Sequence, residues 1–389
     1  MISLSPDQKK VLKDVILWFK KDRATIPFVT LGGYAGTGKT TLIAVLRKKL
    51  HVIQDELKVG FASYTGKAAR MLRQKLKGQN VIYPKDTVGT IHSLIYSPIV
   101  NDEEEIVGWE PKKKIECDLI IIDEASMVDE TIWRHLLAYG IPIIVVGDHG
   151  QLPPISGNFN LMQKPLLKLD EIHRQAKKNP IISLSIQARE KGFIKCQAYS
   201  DTVVKYDRLQ PDTQEQMNEL LCGYDNDTLI LCGYNKTRIK LNLFIRNALG
   251  FESPYPVNGD RVICLRNNHK DHIFNGMLGV IQSIERVNDA WYRAHILMDG
   301  EEKTYQGLIS ATQFNNPQAL NYTHQRKEIM MGDLFDFGYA LTVHKAQGSQ
   351  AKRVILFEER FPKMTDDEWK RWLYTAVTRA EEELYIFTS

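Results

Sequence analysis

Apolar residues along the first 150 positions fall into two alternating patterns. Residues 8–20 (QKKVLKDVILWFK) place them at helical spacing, which predicts an amphipathic helix. Four short apolar runs follow, in PFVTLGG, VGFASYT, DLIIIDE and IPIIVVGD. Each stops at Gly, Thr or Asp, and most lead into a helical pattern. That rhythm predicts a buried parallel sheet with crossover helices. A second set comes later: TLILCGYN (228–235), RVILFEE (353–359) and ELYIFTS (383–389), with helical stretches around 236–249 and 367–380. It predicts a second α/β unit. Residues 256–335 break the rhythm. Short strand-like pieces (DRVICLRN, LGVIQSIERV, WYRAHILMD, KTYQGLI) alternate with Asn-Gly, Asn-Asp and Asp-Gly turns, which predicts a small β-rich insertion of barrel type.

A length of 389 residues suits two or three such domains. Hydrophobic residues at 43% and charged residues at 25% argue against long disorder. Lys+Arg 51 against Asp+Glu 47 leaves +4, which permits nucleic-acid binding without demanding it. No apolar run approaches the ~18 residues of a membrane span. The start, MISLSPDQKK, turns polar too soon for a signal peptide. Cys117, Cys196, Cys222, Cys232 and Cys264 are scattered and form no CxxC pair. They are expected to be reduced thiols of an intracellular protein.

The chemistry starts at Gly33-Tyr34-Ala35-Gly36-Thr37-Gly38-Lys39-Thr40, which matches GxxxxGK[ST] between a strand-like run and a helical pattern. Glycines there let backbone N–H groups face phosphates, and a helix N-terminus favours the anion. Lys39 is expected to reach the β/γ-phosphates and Thr40 to ligate Mg²⁺. Leu119-Ile120-Ile121-Ile122-Asp123-Glu124 is an apolar strand ending in two carboxylates. Asp123 would hold Mg²⁺ through water and Glu124 would polarise the attacking water, which suits hydrolysis. Gly147-Asp148-His149-Gly150-Gln151-Leu152-Pro153-Pro154 follows another apolar strand. Gln151 can contact a γ-phosphate there, although the segment by itself also reads as a polar turn stiffened by two prolines.

With these in order, further segments bring the chain close to superfamily 1 helicases, and it most resembles the B branch of RecD-like and phage Dda-like enzymes. Gln8, in SPDQKK, matches the motif that reads adenine in that family. Tyr64-Thr65-Gly66-Lys67-Ala68-Ala69 and Thr90-Ile91-His92 look like its single-strand-contact motifs. DEAS at 123–126 and GDHGQLPP at 147–154 look like its second and third motifs. Leu169-Asp170-Glu171-Ile172-His173-Arg174-Gln175 is similar to the motif whose arginine touches the γ-phosphate. AxTxHKAQG at 340–348 and YTAVTRA at 374–380 are the most discriminating matches, the latter bringing Arg379 as a second arginine finger.

The resemblance implies an α/β fold of two RecA-like parallel-sheet motor domains with a β-hairpin pin and an SH3-like β-barrel insertion. The implied domains are 1–172 with the pin at about 96–117, 173–275 plus 336–389, and the insertion at 276–335. The implied ATP set is Gln8, Gly36, Thr37, Gly38, Lys39, Thr40, Thr41, Asp123, Gln347 and Gly348. Glu124, Gln151, Arg174 and Arg379 would join Lys39 in catalysis, with Mg²⁺ held by Thr40 and Asp123. Thr65, Lys67, Thr90, His92, Thr342 and His344 would contact the DNA strand. Hydroxyls, lysine and histidine can bind phosphate oxygens without reading sequence.

Residues 98–117 (PIVNDEEEIVGWEPKKKIEC) read as a hairpin, and Trp109 on its return strand is either a base-stacking residue of the pin or the hairpin's hydrophobic anchor. The run Asp102-Glu103-Glu104-Glu105 repels phosphates and is expected to face away from DNA. Trp291 and Tyr292 are either strand contacts or barrel core. The implied function is an ATP-dependent helicase moving 5′ to 3′ on single-stranded DNA and opening duplexes. An RNA-acting member, or a RecD-like translocase subunit needing a partner, is the alternative. Expected partners are single-stranded DNA and its junctions with duplex, with a single-strand-binding protein or replisome beside them. The expected setting is a monomer in the bacterial cytoplasm, free of membranes and phage-encoded in the compact Dda manner.

Overall fold

The structure, a computed structural model, describes residues 4–100, 106–154, 159–171, 179–268, 271, 273–299, 304–320 and 331–388. The chain divides into two compact units, Met1–Glu190 and Lys191–Ser389. This division falls later than the expected 172/173, because helix α6 (Pro180–Lys191) belongs almost wholly to the first unit.

The first unit opens with α1 (Pro6–Lys21), started by a reciprocal capping box between Ser5 and Gln8 and by Pro6 in the first turn. Val11, Leu12, Val15, Trp18 and Phe19 recur on one face and are buried. The sheet behind it holds β1 (Phe28–Gly33), β2 (Val59–Ser63), β3 (Thr87–Thr90), β6 (Leu119–Asp123), β7 (Ile143–Gly147) and β8 (Leu167–Leu169) in the order β3-β2-β6-β7-β1-β8. Every pairing is parallel. All strand carboxyl ends therefore share one edge, where open α/β sheets bind ligands. Helices α2 (Lys39–Ile53), α3 (Gly66–Gly78), α4 (Ile91–Ile95) and α5 (Glu130–Ala138) make the crossovers. β2, β6 and β7 are buried along their whole lengths, as unbroken apolar runs require. β4 (Tyr96–Val100) and β5 (Ile106–Pro111) form a separate antiparallel hairpin, with Pro98 opposite Trp109. The acidic run at 102–105 lies outside the described residues.

The second unit has a six-stranded sheet in the order β17-β11-β18-β19-β10-β9. Its strands are β9 (Gln197–Ser200), β10 (Val203–Tyr206), β11 (Thr228–Cys232), β17 (Ala340–Thr342), β18 (Ala351–Glu358) and β19 (Ala380–Thr388). All pairs are parallel except β9 with β10. Helices α7 (Pro211–Cys222), α8 (Asn235–Ala248) and α9 (Asp366–Val377) accompany it. A five-stranded antiparallel sheet, β15-β14-β13-β12-β16, interrupts this unit. It comprises β12 (Arg261–Cys264), β13 (Leu278–Arg286), β14 (Trp291–Met298), β15 (Thr304–Ser310) and β16 (Phe335–Phe337). The insertion is thus wider than the expected 276–335, since β12 pairs with both β13 and β16. Trp291 and Tyr292 are buried in it, the core alternative. Among the described residues no helix is long and apolar enough to cross a membrane.

Candidate nucleotide site and nucleic-acid interface

The loop after β1 turns through two left-handed glycines, Gly36 at φ 78° and Gly38 at φ 76°. A Cβ at either would strain the backbone. Gly38 is the N-cap of α2 and offers no capping side chain. The first N–H groups of α2 thus face an anion site rather than a protein cap. Lys39 Nζ donates to the carbonyls of Gly33 at 2.7 Å and Tyr34 at 3.1 Å and lies 3.9 Å from Asp148 Oδ2. Gln8 is 1% exposed. Its Nε2 donates to the Thr37 carbonyl at 2.9 Å, and its Oε1 accepts from the Ser5 N–H at 3.0 Å. It therefore ties α1 to the loop.

β6 delivers Asp123 and Glu124 to the same edge. Asp123 is buried, and burial together with the neighbouring Glu124 charge pushes its carboxyl up to about 6. Its Oδ1 accepts from the Glu124 N–H at 3.0 Å. Glu124 sits at φ 55°, a sparsely populated region for a side-chain-bearing residue and one that clusters at functional sites. Beside Asp123 in register, Ser63 Oγ is buried and meets no hydrogen-bond partner among the described residues, as does Ser126 Oγ three residues beyond Asp123. A buried carboxylate with a second beside it, and two unsatisfied hydroxyls near in sequence or register, fit a hydrated divalent cation. Gln151, after β7, is buried with Nε2 3.5 Å from Asp148 Oδ2.

The loop after β1, the Asp123–Glu124 pair and Gln151, expected to serve a nucleotide, thus gather along one sheet edge. Arg174 lies outside the described residues. In the second unit Arg379 stands just before the amino end of β19 and is buried. Its Nε donates to the Thr375 carbonyl at 2.9 Å and a terminal nitrogen to the Ser349 carbonyl at 3.1 Å. Thr342 ends β17, and residues 343–350 run from that carboxyl edge to the amino end of β18, since both strands are parallel to β11. Gln347 (buried) and Gly348 (φ 75°) lie on that crossing.

The expected strand contacts share a local design. Thr65 and Thr90 cap α3 and α4, accepting from the N–H of Ala68 at 3.2 Å and Ser93 at 3.1 Å. Thr342 Oγ1 accepts from the Lys345 N–H at 3.4 Å. Lys67 occupies the first turn of α3. His92 lies between the rings of Tyr64 (6.1 Å) and Tyr96 (5.6 Å), and burial lowers its pKa. Burial lowers that of His344 too. Tyr96, first residue of the hairpin, bonds His135 Nδ1 through its hydroxyl at 2.6 Å. Trp109 is half-buried on β5.

Sequence reasoning missed one group at the phosphate loop. The Tyr34 ring lies 4.2 Å from that of His149, and Arg189 covers Tyr34 with Cζ 3.6 Å from the ring centroid. No spacing signal relates position 189 to position 34.

Comparison with known proteins finds two family models, one for each end of the chain. A family model described as an AAA domain matches residues 3–203, and one described as a UvrD-like helicase C-terminal domain matches 337–387. The chain is similar to the ATP-dependent RecD2 DNA helicase of Deinococcus radiodurans, at 29% identity over 92% of this chain and 46% of that protein. It spans only about half the length of that relative. It is also similar to the ATP-dependent DNA helicase dda of Enterobacteria phage T4, at 33% identity over 34% of this chain and 29% of that one. Among solved structures, the Pif1 helicase from Bacteroides in complex with ADP-AlF3 and single-stranded DNA shares the fold, at 19% identity, 99% of this chain, 92% of that chain and a TM-score of 0.54.

Proposed function

Because this chain belongs to the superfamily 1B helicases and carries their AAA domain over residues 3–203, we propose that it is an ATP-dependent DNA helicase. It moves 5′ to 3′ along single-stranded DNA and opens duplexes at the junction. One observation carries this reading. The uncapped start of α2, the Lys39 amine and the Asp123–Glu124 pair lie along the sheet edge that also bears Thr65 and Thr90. A nucleotide site and a strand-contact row on one edge suit a motor.

ATP binds with its phosphates on the N–H groups that open α2, from Gly38 to Thr41. Lys39 exchanges two backbone carbonyls for phosphate oxygens, so its ammonium meets anionic acceptors in place of neutral ones. Thr40 and Asp123 would hold Mg²⁺, which would supply positive charge against the developing phosphate charge. Glu124 accepts a proton from the attacking water, and Gln151 contacts the γ-phosphate. Arg174 and Arg379 stabilise its developing charge, an effect of ~10³-fold or more in related NTPases. For Arg379 this requires release from its two carbonyl partners.

The hairpin β4–β5 acts as the pin, and the antiparallel insertion serves as an SH3-like module that steadies the strand. The first unit and the β9–β11, β17–β19 sheet are the two motor domains. The working form is a cytoplasmic monomer that meets single-strand-binding protein or replisome components on DNA, as a phage-type enzyme would.

Two identical partial duplexes, one with a 5′ and one with a 3′ single-stranded tail, test the assignment in Mg²⁺-ATP. Opening of the 5′-tailed substrate alone is expected. Opening of the 3′-tailed substrate alone overturns the polarity. Opening of neither, with ATPase still stimulated by DNA, transfers the assignment to a partner-dependent translocase. Stimulation by RNA alone transfers it to an RNA motor. Lys39→Ala is expected to abolish hydrolysis, and wild-type turnover in that variant refutes the phosphate-site assignment.

A further inference from the structure

Tyr34 is a joint in the phosphate loop. Its carbonyl accepts from Lys39 Nζ and from the Thr37 hydroxyl at 2.8 Å. Any movement of Lys39 toward a phosphate changes what holds Tyr34. The ring of this residue meets His149, next to Asp148, and Arg189, at a close cation–π distance. The only ion pair found for Arg189 among the described residues is a 3.5 Å contact with exposed Glu190.

Arg189 stands in the last turn of α6, two residues from its end at Lys191. Gly192 follows at φ +64°, the left-handed conformation that commonly ends a helix. The Gly192 carbonyl accepts from Trp369 Nε1 at 2.8 Å. Trp369 stacks on Trp372, with centroids 5.1 Å apart and planes at 13°. Both belong to α9, the helix that leads directly into Thr378 and Arg379. Less than one helical turn of chain therefore separates a side chain held by the phosphate loop from a carbonyl held by α9.

We propose that Arg189 is a positioning residue that passes the state of the phosphate loop, through Tyr34 and the end of α6, to Gly192, Trp369 and the arginine-bearing end of α9. The helix runs on to Lys191 and Gly192 follows directly, so the path from Arg189 to the Gly192 carbonyl is only three residues of chain. The inference rests on the nucleotide reading of the loop.

Hydrogen–deuterium exchange of the full chain, with and without the Mg²⁺ complex of a non-hydrolysable ATP analogue, tests it. In the wild type, exchange is expected to slow in peptides covering 33–41 and also 366–377. In Arg189→Ala, slowing at 33–41 is retained and slowing at 366–377 is lost. Arg189→Lys, which keeps a cation over the ring, restores part of it. DNA-stimulated ATP turnover of Arg189→Ala falls by roughly 2- to 30-fold, the range of typical long-range coupling, with KM for ATP little changed. Slowing confined to 33–41 in the wild type, or unaltered slowing at 366–377 in Arg189→Ala, overturns the coupling alone. Absence of slowing at 33–41 in the wild type overturns the nucleotide reading and the coupling with it. Should Arg189→Ala melt well below the wild type, Arg189→Gln makes the same comparison with more of the side chain kept.

Discussion

Gln8 is where the structure most sharpens an expectation. The family resemblance makes it an adenine reader, yet its amide already ties α1 to the phosphate loop. Gln8→Ala removes the bond to the Thr37 carbonyl and the capping-box bond to Ser5. Two hydrogen bonds at about 1 kcal/mol each, plus part of the penalty for a stranded buried carbonyl, give about 2–4 kcal/mol. At roughly 2–4 °C per kcal/mol for a folding unit of this size, the first unit should melt roughly 4–16 °C lower. Gln8→Glu separates the two roles. Its carboxylate still accepts from the Ser5 N–H, but it turns an acceptor toward the acceptor of Thr37. Both variants are expected to melt lower without nucleotide and to raise KM for ATP and GTP alike, because the loop itself loosens. Differential scanning calorimetry and steady-state kinetics check this. A Gln8→Glu protein that melts with the wild type and loses only its preference for ATP over GTP would refute the tether.

Other outcomes follow from the same contacts. Arg246→Ala strands Asp260, which is 0% exposed and is held by two guanidinium bonds at 2.7 and 2.9 Å and the Tyr339 hydroxyl at 2.8 Å. A loss of about 3–5 kcal/mol is expected, read as a lower unfolding transition of the second unit; an unchanged melt contradicts it. Trp109→Ala is expected to impair duplex opening more than DNA-stimulated ATPase, and equal loss of both rejects the pin. Burial keeps His92 and His344 neutral, so their folded pKa values lie below the usual 6.5. The unfolded chain then takes up protons first on acidification. Stability is full above about pH 6.5 and falls as pH drops toward the folded values. A melting temperature that rises from pH 7 to 5.5 in the wild type, and equally in the His92→Gln, His344→Gln double variant, excludes this contribution.

Strand-end motifs were the legible part of the sequence. A glycine loop, a carboxylate pair and a Gly-Asp turn each announce where an apolar run stops, and a parallel sheet then collects them on one edge. Sheet membership was harder to read. Arg261–Cys264 is a four-residue run with no alternation, and nothing local says that it pairs with both Leu278–Val280 and Phe335–Phe337. The late unit boundary was hidden for a related reason. The contact of Arg189 with Tyr34, 155 positions away in the chain, ties α6 to the first unit's loop, and no local pattern announces it. The internal engagement of Gln8 was also silent, because a capping glutamine and an adenine-reading glutamine have the same sequence. Position 291–292 is instructive in the other direction. Adjacent residues of a strand face opposite sides, yet both are buried: Tyr292 joins Ala294 and Ile296 in the insertion's apolar cluster, and Trp291 is buried outside that cluster.

In the proposed DNA row, neutral hydroxyls would let a chain of net charge +4 hold a polyanion. A threonine hydroxyl has two lone pairs and one proton. At Thr65, Thr90 and Thr342 one lone pair accepts a backbone N–H three residues onward. That bond fixes the side chain without using its proton, which stays available to a phosphate oxygen. The orientation is set during folding, so little rotamer freedom is lost when the strand arrives. A lysine in the same place would bring more charge but would surrender most of its side-chain entropy on binding. Neutral donors release few counterions, so in the proposed row the salt dependence is expected to come mainly from Lys67 and to be shallower than that of a basic groove. A motor gains from this arrangement. Under the proposed function, a row of modest, oriented hydrogen bonds is easier to release than a row of ion pairs.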